Sequence, residues 1–133
     1  MTDILPFSPP KTKRAADMLA GAKALPMLIN GEWVSAQTGE TIPVQDPASG
    51  KEIAQIGRGA AYEVDAAVAA ARKALPEWGK LTPRKRALVL HRLGDLIDEN
   101  VEELSELETL DQGKPYSVSR WAEIPSAAKQ FRF

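Results

Sequence analysis

The densest set of residues that could do chemistry is a run of carboxylates in the second half of the chain. Paired carboxylates can bind a hard cation or share acid–base work when they face one another in a cleft. A helical apolar pattern runs through the same stretch, and its phase distributes the carboxylates around the outer side. We therefore expect a solvated acidic face and no acid–base pair. Its members are Asp95, Asp98, Glu99, Glu102, Glu103, Glu106 and Glu108.

Asp111 differs from this run because it lies just before Gly113, which the pattern places at a helix C-terminus. A negative charge there opposes the helix dipole, so we expect a local group to compensate it. A hydrogen bond from the backbone or from Lys114 is one such group.

The sequence lacks a cysteine nucleophile and a complete dinucleotide-binding fingerprint. The chain has no cysteine and one histidine, His91, which lies beside an apolar helical seam and is expected at the surface or its boundary. Gly57 and Gly59 lack the third glycine and the preceding buried strand of a dinucleotide-binding fingerprint. We therefore assign no catalytic and no cofactor-binding residue to this chain.

Composition is that of a soluble globular protein of one domain. The 133 residues are 44% hydrophobic and 26% charged, with a net charge of -1, so neither nucleic acid nor an anionic membrane is an expected partner. No apolar run approaches the length of a membrane span. The first residues lack the layout of a signal or transit peptide, which predicts a cytoplasmic protein.

The first half predicts a short helix followed by antiparallel strands. Thr12 is the expected N-cap of a helix that ends before Pro26. Asn30-Gly31 favours a type I′ hairpin turn. Two further strands are expected at residues 41–45 and 51–56.

The second half predicts three to four helices. An apolar seam from Val64 to Trp78 indicates the first, with its regular part ending at Pro76. Thr82 should cap the second, whose buried stripe is Leu90, Leu93 and Ile97, with a break and restart at Asn100. The helix after Gly113 begins near Tyr116, and Pro125 should kink it or open a new turn. The isolated chain is therefore predicted to be α+β.

Several segments, in order, resemble the N-terminal region of NAD(P)-dependent aldehyde dehydrogenases, in particular those of the phenylacetaldehyde, betaine-aldehyde and aminoaldehyde type. They are LINGEWV, Asp46-Pro47 with Ser49-Gly50, EVDAAVAAARKAL, EWGKLTPRKRALVLHRLGDLI and LETLDQGKP, followed by a helix ending KQFRF. The resemblance runs from about Leu28 to Phe133 and implies part of that family's α/β fold. Residues 1–27 would be an N-terminal extension, and residues 28–133 the first part of the cofactor-binding domain.

For the whole enzyme, the resemblance implies oxidation of an aldehyde to a carboxylate with NAD+ or NADP+. The family's catalytic Cys and Glu and its dinucleotide site would lie beyond residue 133, so this chain alone should be inactive. No helix stop follows the aromatic Phe131 and Phe133, so we expect a piece of a larger protein. Its partner would be the remainder of the dehydrogenase, in a homo-oligomer. The alternative is a stand-alone, non-catalytic helical interaction module derived from the family.

The resemblance also implies roles for individual residues. Asp111 and the backbone carbonyls of Val44 and Gln45 would contribute to a structural sodium or potassium site. Ala122 and Ser126 would border the substrate entrance. Arg86 and Arg132 would be structural, using the planar guanidinium to bind carbonyls or carboxylates.

Overall fold

The computed structural model describes residues 11–20 and 24–133, apart from the side chains of Arg14 and Met18. The sequence predicts a loose, Pro-rich segment over residues 1–11, and all of it except Lys11 lies outside these residues. Short antiparallel strands precede the main helices, which confirms the α+β prediction. The elements are α1 (Lys13–Leu19), β1 (Met27–Ile29), β2 (Glu32–Val34), β3 (Thr41–Gln45), β4 (Glu52–Gly57), α2 (Ala61–Lys80), α3 (Pro83–Glu99), α4 (Val101–Gln112), α5 (Tyr116–Val118), a π-helical turn (Ser119–Glu123) and α6 (Ile124–Arg132).

The strands form two separate antiparallel pairs, β1–β2 and β3–β4. Asn30 and Gly31 have φ angles of 54° and 80°, so both turn positions of the first pair are left-handed, as the Asn-Gly dipeptide predicts. In the second pair the register shifts between Val44 and Gln45, which leaves an extra residue on β4. The shift falls where the chain approaches the C-terminus of α4.

Glu63 ties the start of α2 to the loop after β2. Its buried carboxylate accepts hydrogen bonds from the backbone N–H of Gln37 at 2.7 Å and of Ala60 at 2.8 Å. These hydrogen bonds lower the pKa of Glu63 below its ordinary value, and the bond from Gln37 has the larger effect. The carboxylate also reaches back to the N-cap position as in a capping box. It therefore fixes both the helix start and its position on the β section.

Pro76 does not end α2, and that prediction was wrong. The helix continues to Lys80 with Pro76 inside it. Proline deprives the carbonyl of Arg72, four residues earlier, of its donor, but both residues are exposed and water can take the donor's place. The predicted seam of α2 is also largely exposed, at Val64, Val68, Leu75 and Trp78.

The cap of α3 at Thr82, the break at Asn100 and the end of α4 at Gly113 are confirmed, but the Asn100 side chain makes no hydrogen bond that caps α4. The Thr82 hydroxyl accepts from Lys85 N–H at 3.3 Å, and α3 ends one residue before Asn100, whose side-chain amide donates to the Leu96 carbonyl at 2.7 Å. Gly113 closes α4 with φ at 71°.

The stripe predicted as buried on α3 is only partly so. Leu90 and Leu93 are exposed and Ile97 is half-buried, whereas Gly94 is the buried residue of the helix. An ideal Cβ on Gly94 would lie 2.9 Å from the carbonyl oxygen of Ala128 on α6. The backbones of α3 and α6 therefore pack closely because Gly94 has no side chain.

Pro125 lies in the first turn of α6, directly after the π-helical turn. Ile124 N–H bonds to the Ser119 carbonyl, five residues back. Widening the helix here is a common way to accommodate the missing N–H and bulky ring of a proline. Among the described residues, no helix is both long and apolar enough to cross a membrane.

Candidate functional site

The C-terminus of α4 lies against the turn that follows β3. The N–H of Gly113 bonds to the Thr109 carbonyl at 2.9 Å, and a Cβ on Gly113 would meet the Pro47 ring at 3.3 Å. This close approach brings Asp111 towards the end of β3. Asp111 and Val44 line the same cavity, of about 350 Å³.

Asp46 holds this turn in place. Its buried carboxylate accepts from Ala48 N–H at 3.0 Å and from the Ser49 hydroxyl at 2.6 Å, and its own N–H bonds to the Lys51 carbonyl at 2.9 Å. The Ser49 hydrogen bond is the main reason why the pKa of Asp46 is lowered. An Asp side chain that accepts a hydrogen bond from the backbone two residues later forms an Asx-turn, and the Pro between them makes the turn rigid. These bonds all lie within residues 46–51, so they fix the turn that directly follows the Val44 and Gln45 carbonyls.

Most of the cavity wall is apolar, and Asp111 and Glu108 are its charged lining residues. Lys114 pairs with Glu108 at 3.0 Å and with Glu123 at 3.7 Å. The Glu108 hydrogen bond is the main reason why the pKa of Lys114 is raised. Lys114, which the sequence suggested as a hydrogen-bond donor to Asp111, therefore forms ion pairs with other carboxylates.

The donor set at Asp111 can be tested against the predicted cation. Across residues 11–20 and 24–133 no cluster of three or more His, Asp or Glu side chains could hold a metal ion. A multi-carboxylate Ca²⁺ site therefore does not form within that range. One carboxylate and backbone carbonyls are hard, weakly charged oxygen donors, which fits Na+ or K+ better than a divalent ion. Gln45 and Asp111 are exposed and Val44 is half-buried.

Arg86 and Arg132 each contact acceptors within the chain. Arg86 Nη1 donates to the Leu81 carbonyl at 2.5 Å, across the short loop between α2 and α3. Arg132 Nη2 lies 2.7 Å from Asp95 Oδ1 and 2.8 Å from Asp98 Oδ2. These two carboxylates raise the pKa of Arg132, and Asp95 has the larger effect. Arg132 thus joins the C-terminal end of α6 to α3.

Ala122 and Ser126 are both exposed, on the π-helical turn and on α6. Ser126 precedes Ala128 by two residues, which places it on nearly the opposite side of α6 from the contact with Gly94. The side of α6 that carries the proposed substrate-entrance residue therefore faces away from α3. His91 is exposed, as predicted.

The prediction of a solvated acidic face holds for Asp95, Asp98, Glu99 and Glu102, which are exposed, but it is wrong for Glu106. Glu106 is buried and accepts three hydrogen bonds at 2.7–2.8 Å from Lys11 and Thr12. The other contacts join Arg92 to Glu99, Arg120 and Tyr116 to Glu102, and Arg132 to Asp95 and Asp98. Apart from Arg92, which lies on α3 itself, the partners come from the two residues before α1, from α5, from the π-helical turn and from α6, so helix phase alone missed them. Gly94 was missed for a similar reason, since its close contact is formed by a distant helix.

Comparison with known proteins identifies the family. The model of the family described as "Aldehyde dehydrogenase family" matches residues 33–133, about three quarters of the chain. The chain belongs to the aldehyde dehydrogenase family.

The relatives that this chain resembles are much longer proteins. The chain is 45% identical to aldehyde dehydrogenase family 2 member B4, mitochondrial, of Arabidopsis thaliana, over 80% of this chain and 20% of that protein. It is 40% identical to the NADP/NAD-dependent aldehyde dehydrogenase PuuC of Escherichia coli, over 80% and 22%. The NAD+ complex of an aldehyde dehydrogenase from Bacillus cereus superposes with a TM-score of 0.85 at 36% identity, over 91% of this chain and 25% of that one. The chain thus spans about a fifth to a quarter of the length of these relatives.

Proposed function

We propose that this chain is the N-terminal segment of an enzyme that oxidises aldehydes to carboxylates with NAD+ or NADP+. The observation that carries the proposal is the family match over residues 33–133. It is supported by the backbone likeness to a relative solved with NAD+. The whole enzyme would be a cytoplasmic homo-oligomer in which this segment packs on the remainder of the dehydrogenase.

The segment's own role would be structural. Aldehyde oxidation in this family proceeds through a thiohemiacetal on a cysteine, and this sequence has none. Its described residues would hold the π-helical turn with Ala122 and α6 with Ser126 beside the substrate entrance. They would also supply Asp111 and the Val44 and Gln45 carbonyls to a cation.

Nucleotide binding tests the proposal directly. The purified chain should give no heat on titration with NAD+ or NADP+ and should produce no reduced nicotinamide from propanal or phenylacetaldehyde. The same chain, fused in place of the matching segment of the Bacillus cereus enzyme, should give an active dehydrogenase. Micromolar NAD+ binding by the chain alone, or a folded but inactive fusion, would contradict it.

The large apolar side chains left exposed also favour a stand-alone interaction module. Such a module would be monomeric and would unfold cooperatively without its family partner. Sedimentation and urea unfolding of the purified chain distinguish the two, since a segment built to be covered should self-associate.

The cation proposal predicts ion-specific stabilisation of the active fusion. At constant ionic strength, replacing choline with Na+ or K+ should raise the Tm of the fusion, because an ion bound to the folded state alone stabilises it by mass action. Asp111→Asn should abolish most of that rise while leaving the Tm in choline nearly unchanged. Glu77→Gln on the exposed face of α2 is the matched control and should keep the rise. An equal rise in the Asp111→Asn fusion would exclude this carboxylate as a ligand.

A further inference from the structure

The π-helical turn at Ser119–Glu123 is a rare form of backbone, and single π-turns within helices occur frequently at functional sites. Ser119, its first residue, is fully buried, and the Ser119 hydroxyl has no hydrogen-bond partner among the described residues. The polar contacts that hold the turn come instead from side chains that reach α4 and the loop after it.

Glu102, in the first turn of α4, makes one of these contacts. Its carboxylate accepts a hydrogen bond from the Tyr116 hydroxyl and forms an ion pair with the Arg120 guanidinium. Both contacts lower the pKa of Glu102, and the hydrogen bond from Tyr116 has the larger effect. The same hydrogen bond raises the pKa of Tyr116. One carboxylate thus connects α4 both to α5 and to the π-helical turn.

Arg120 extends this contact to Trp121. The Arg120 guanidinium lies over the Trp121 ring, 4.2 Å from its centroid. A planar guanidinium stacked on an aromatic ring favours a fixed arrangement of the two side chains. Trp121 is exposed by 74% and directly precedes Ala122. Glu102, Arg120 and Trp121 therefore form a row of contacts from α4 to the residue beside Ala122.

A second contact holds the other end of the turn. Glu123 lies 3.7 Å from Lys114, which also pairs with Glu108 of α4 at 3.0 Å. Ala122 lies between the two contacts, so the turn is held on both sides of it. The Lys114 contact reaches only the C-terminal end, which leaves the start of the turn dependent on Glu102.

We propose that Glu102 is a positioning residue that fixes the π-helical turn and so shapes the substrate entrance beside Ala122. This inference rests on the proposed function, in which Ala122 and Ser126 border that entrance. Glu102 acts through Arg120 and Tyr116 and not by contact with the aldehyde. Without Glu102 the turn can shift, so binding a wide aldehyde must also order the wall that it touches, which weakens its binding. A small aldehyde passes without that contact.

Steady-state kinetics of the active fusion with the Bacillus cereus enzyme tests the inference. Glu102→Gln should raise the KM for phenylacetaldehyde about fivefold. This factor corresponds to about 1 kcal/mol, the upper range for an ion pair with exposed members. The kcat for phenylacetaldehyde, and both constants for propanal, should stay within about twofold of the wild type, because the positions of the reacting groups are unchanged.

Glu99→Gln is the matched control. It removes the partner of Arg92, at 2.7 Å, and so breaks another exposed Arg–Glu pair that lies on α3 and does not involve the turn. Its constants for both aldehydes should equal those of the wild type. An equal rise in KM for phenylacetaldehyde in Glu99→Gln would overturn the proposal.

Hydrogen exchange of the same fusions shows whether Glu102 acts through the turn. The backbone amides of residues 120–124 should exchange faster in Glu102→Gln than in the wild type or in Glu99→Gln, because the turn opens more often. Unchanged exchange, an unchanged KM for phenylacetaldehyde, or an equal rise in KM for both aldehydes would each overturn the proposal. A folded but inactive wild-type fusion would contradict the proposed function and the entrance role with it, whereas the exchange rates would still decide whether Glu102 holds the turn.

Discussion

Gly94→Val is expected to lower the free energy of unfolding by about 3 kcal/mol, the upper range for overpacking a closed contact. An added Cβ would lie 2.9 Å from the Ala128 carbonyl oxygen and 2.9 Å from Arg132 Nε. Arg132 can move, but the Ala128 carbonyl belongs to the backbone of α6, so the two helices must separate. Urea unfolding of the active fusion enzyme, followed by circular dichroism, measures the loss.

Gly79→Val is the control for this prediction. Gly79 also lies inside a helix, but no atom within 4 Å would meet its Cβ. Its substitution should therefore change the free energy of unfolding by no more than about 0.5 kcal/mol. Similar effects at both positions would show that helix propensity, and not the approach of α6, decides the cost at Gly94.

Local patterns in the sequence were sufficient for the strands, turns and helix starts. Asn30-Gly31, Thr82 and Gly113 act through their own backbone or that of the next few residues, so each can be read without the rest of the fold. Pro76 is an exception: its effect depends on whether water reaches the deprived carbonyl, which a local pattern does not tell.

Long-range contacts were beyond that reasoning. Glu106 looked like one more solvated carboxylate because its partners, Lys11 and Thr12, lie far away in the sequence. The apolar stripes of α2 and α3 predicted burial that the described residues do not provide. Both errors have one cause, since helix phase says which side is apolar or acidic but not what packs against it.

For the candidate site, the family resemblance directed attention to Asp111, Val44 and Gln45, whereas the local sequence offered the backbone or Lys114 as the partner of Asp111. The structure adds the shared cavity of Val44 and Asp111 and the commitment of Lys114 to Glu108. The ligand roles remain predictions for the ion-dependence experiment.

Glu106→Ala is expected to detach α1 and to cost about 2 kcal/mol at neutral pH. The buried carboxylate accepts from the backbone N–H groups of Lys11 and Thr12, both at 2.8 Å, and from the Thr12 hydroxyl at 2.7 Å. Removing the acceptor leaves these donors without their charged partner, which typically costs 1–3 kcal/mol or more. Trypsin should then cleave at Lys13 much faster than in the wild type. Glu32→Gln, at an exposed carboxylate of β2, should leave the rate unchanged.

The same contact gives the stability of the chain an acid dependence with a defined sign. Burial alone would raise the pKa of Glu106, but the hydrogen bonds from Thr12 and Lys11 outweigh it and hold the pKa below the ordinary value of 4.5. A carboxyl with a lowered folded-state pKa contributes stability that is fully present above its unfolded-state pKa and is lost as the pH falls through the folded-state pKa. The wild type should therefore protect α1 from hydrogen exchange at neutral pH and lose that protection below about pH 4.5. In Glu106→Gln, protection of α1 should be weak at every pH and should not change with pH. If this variant instead lost protection in acid as steeply as the wild type, other carboxylates would be holding α1 in place.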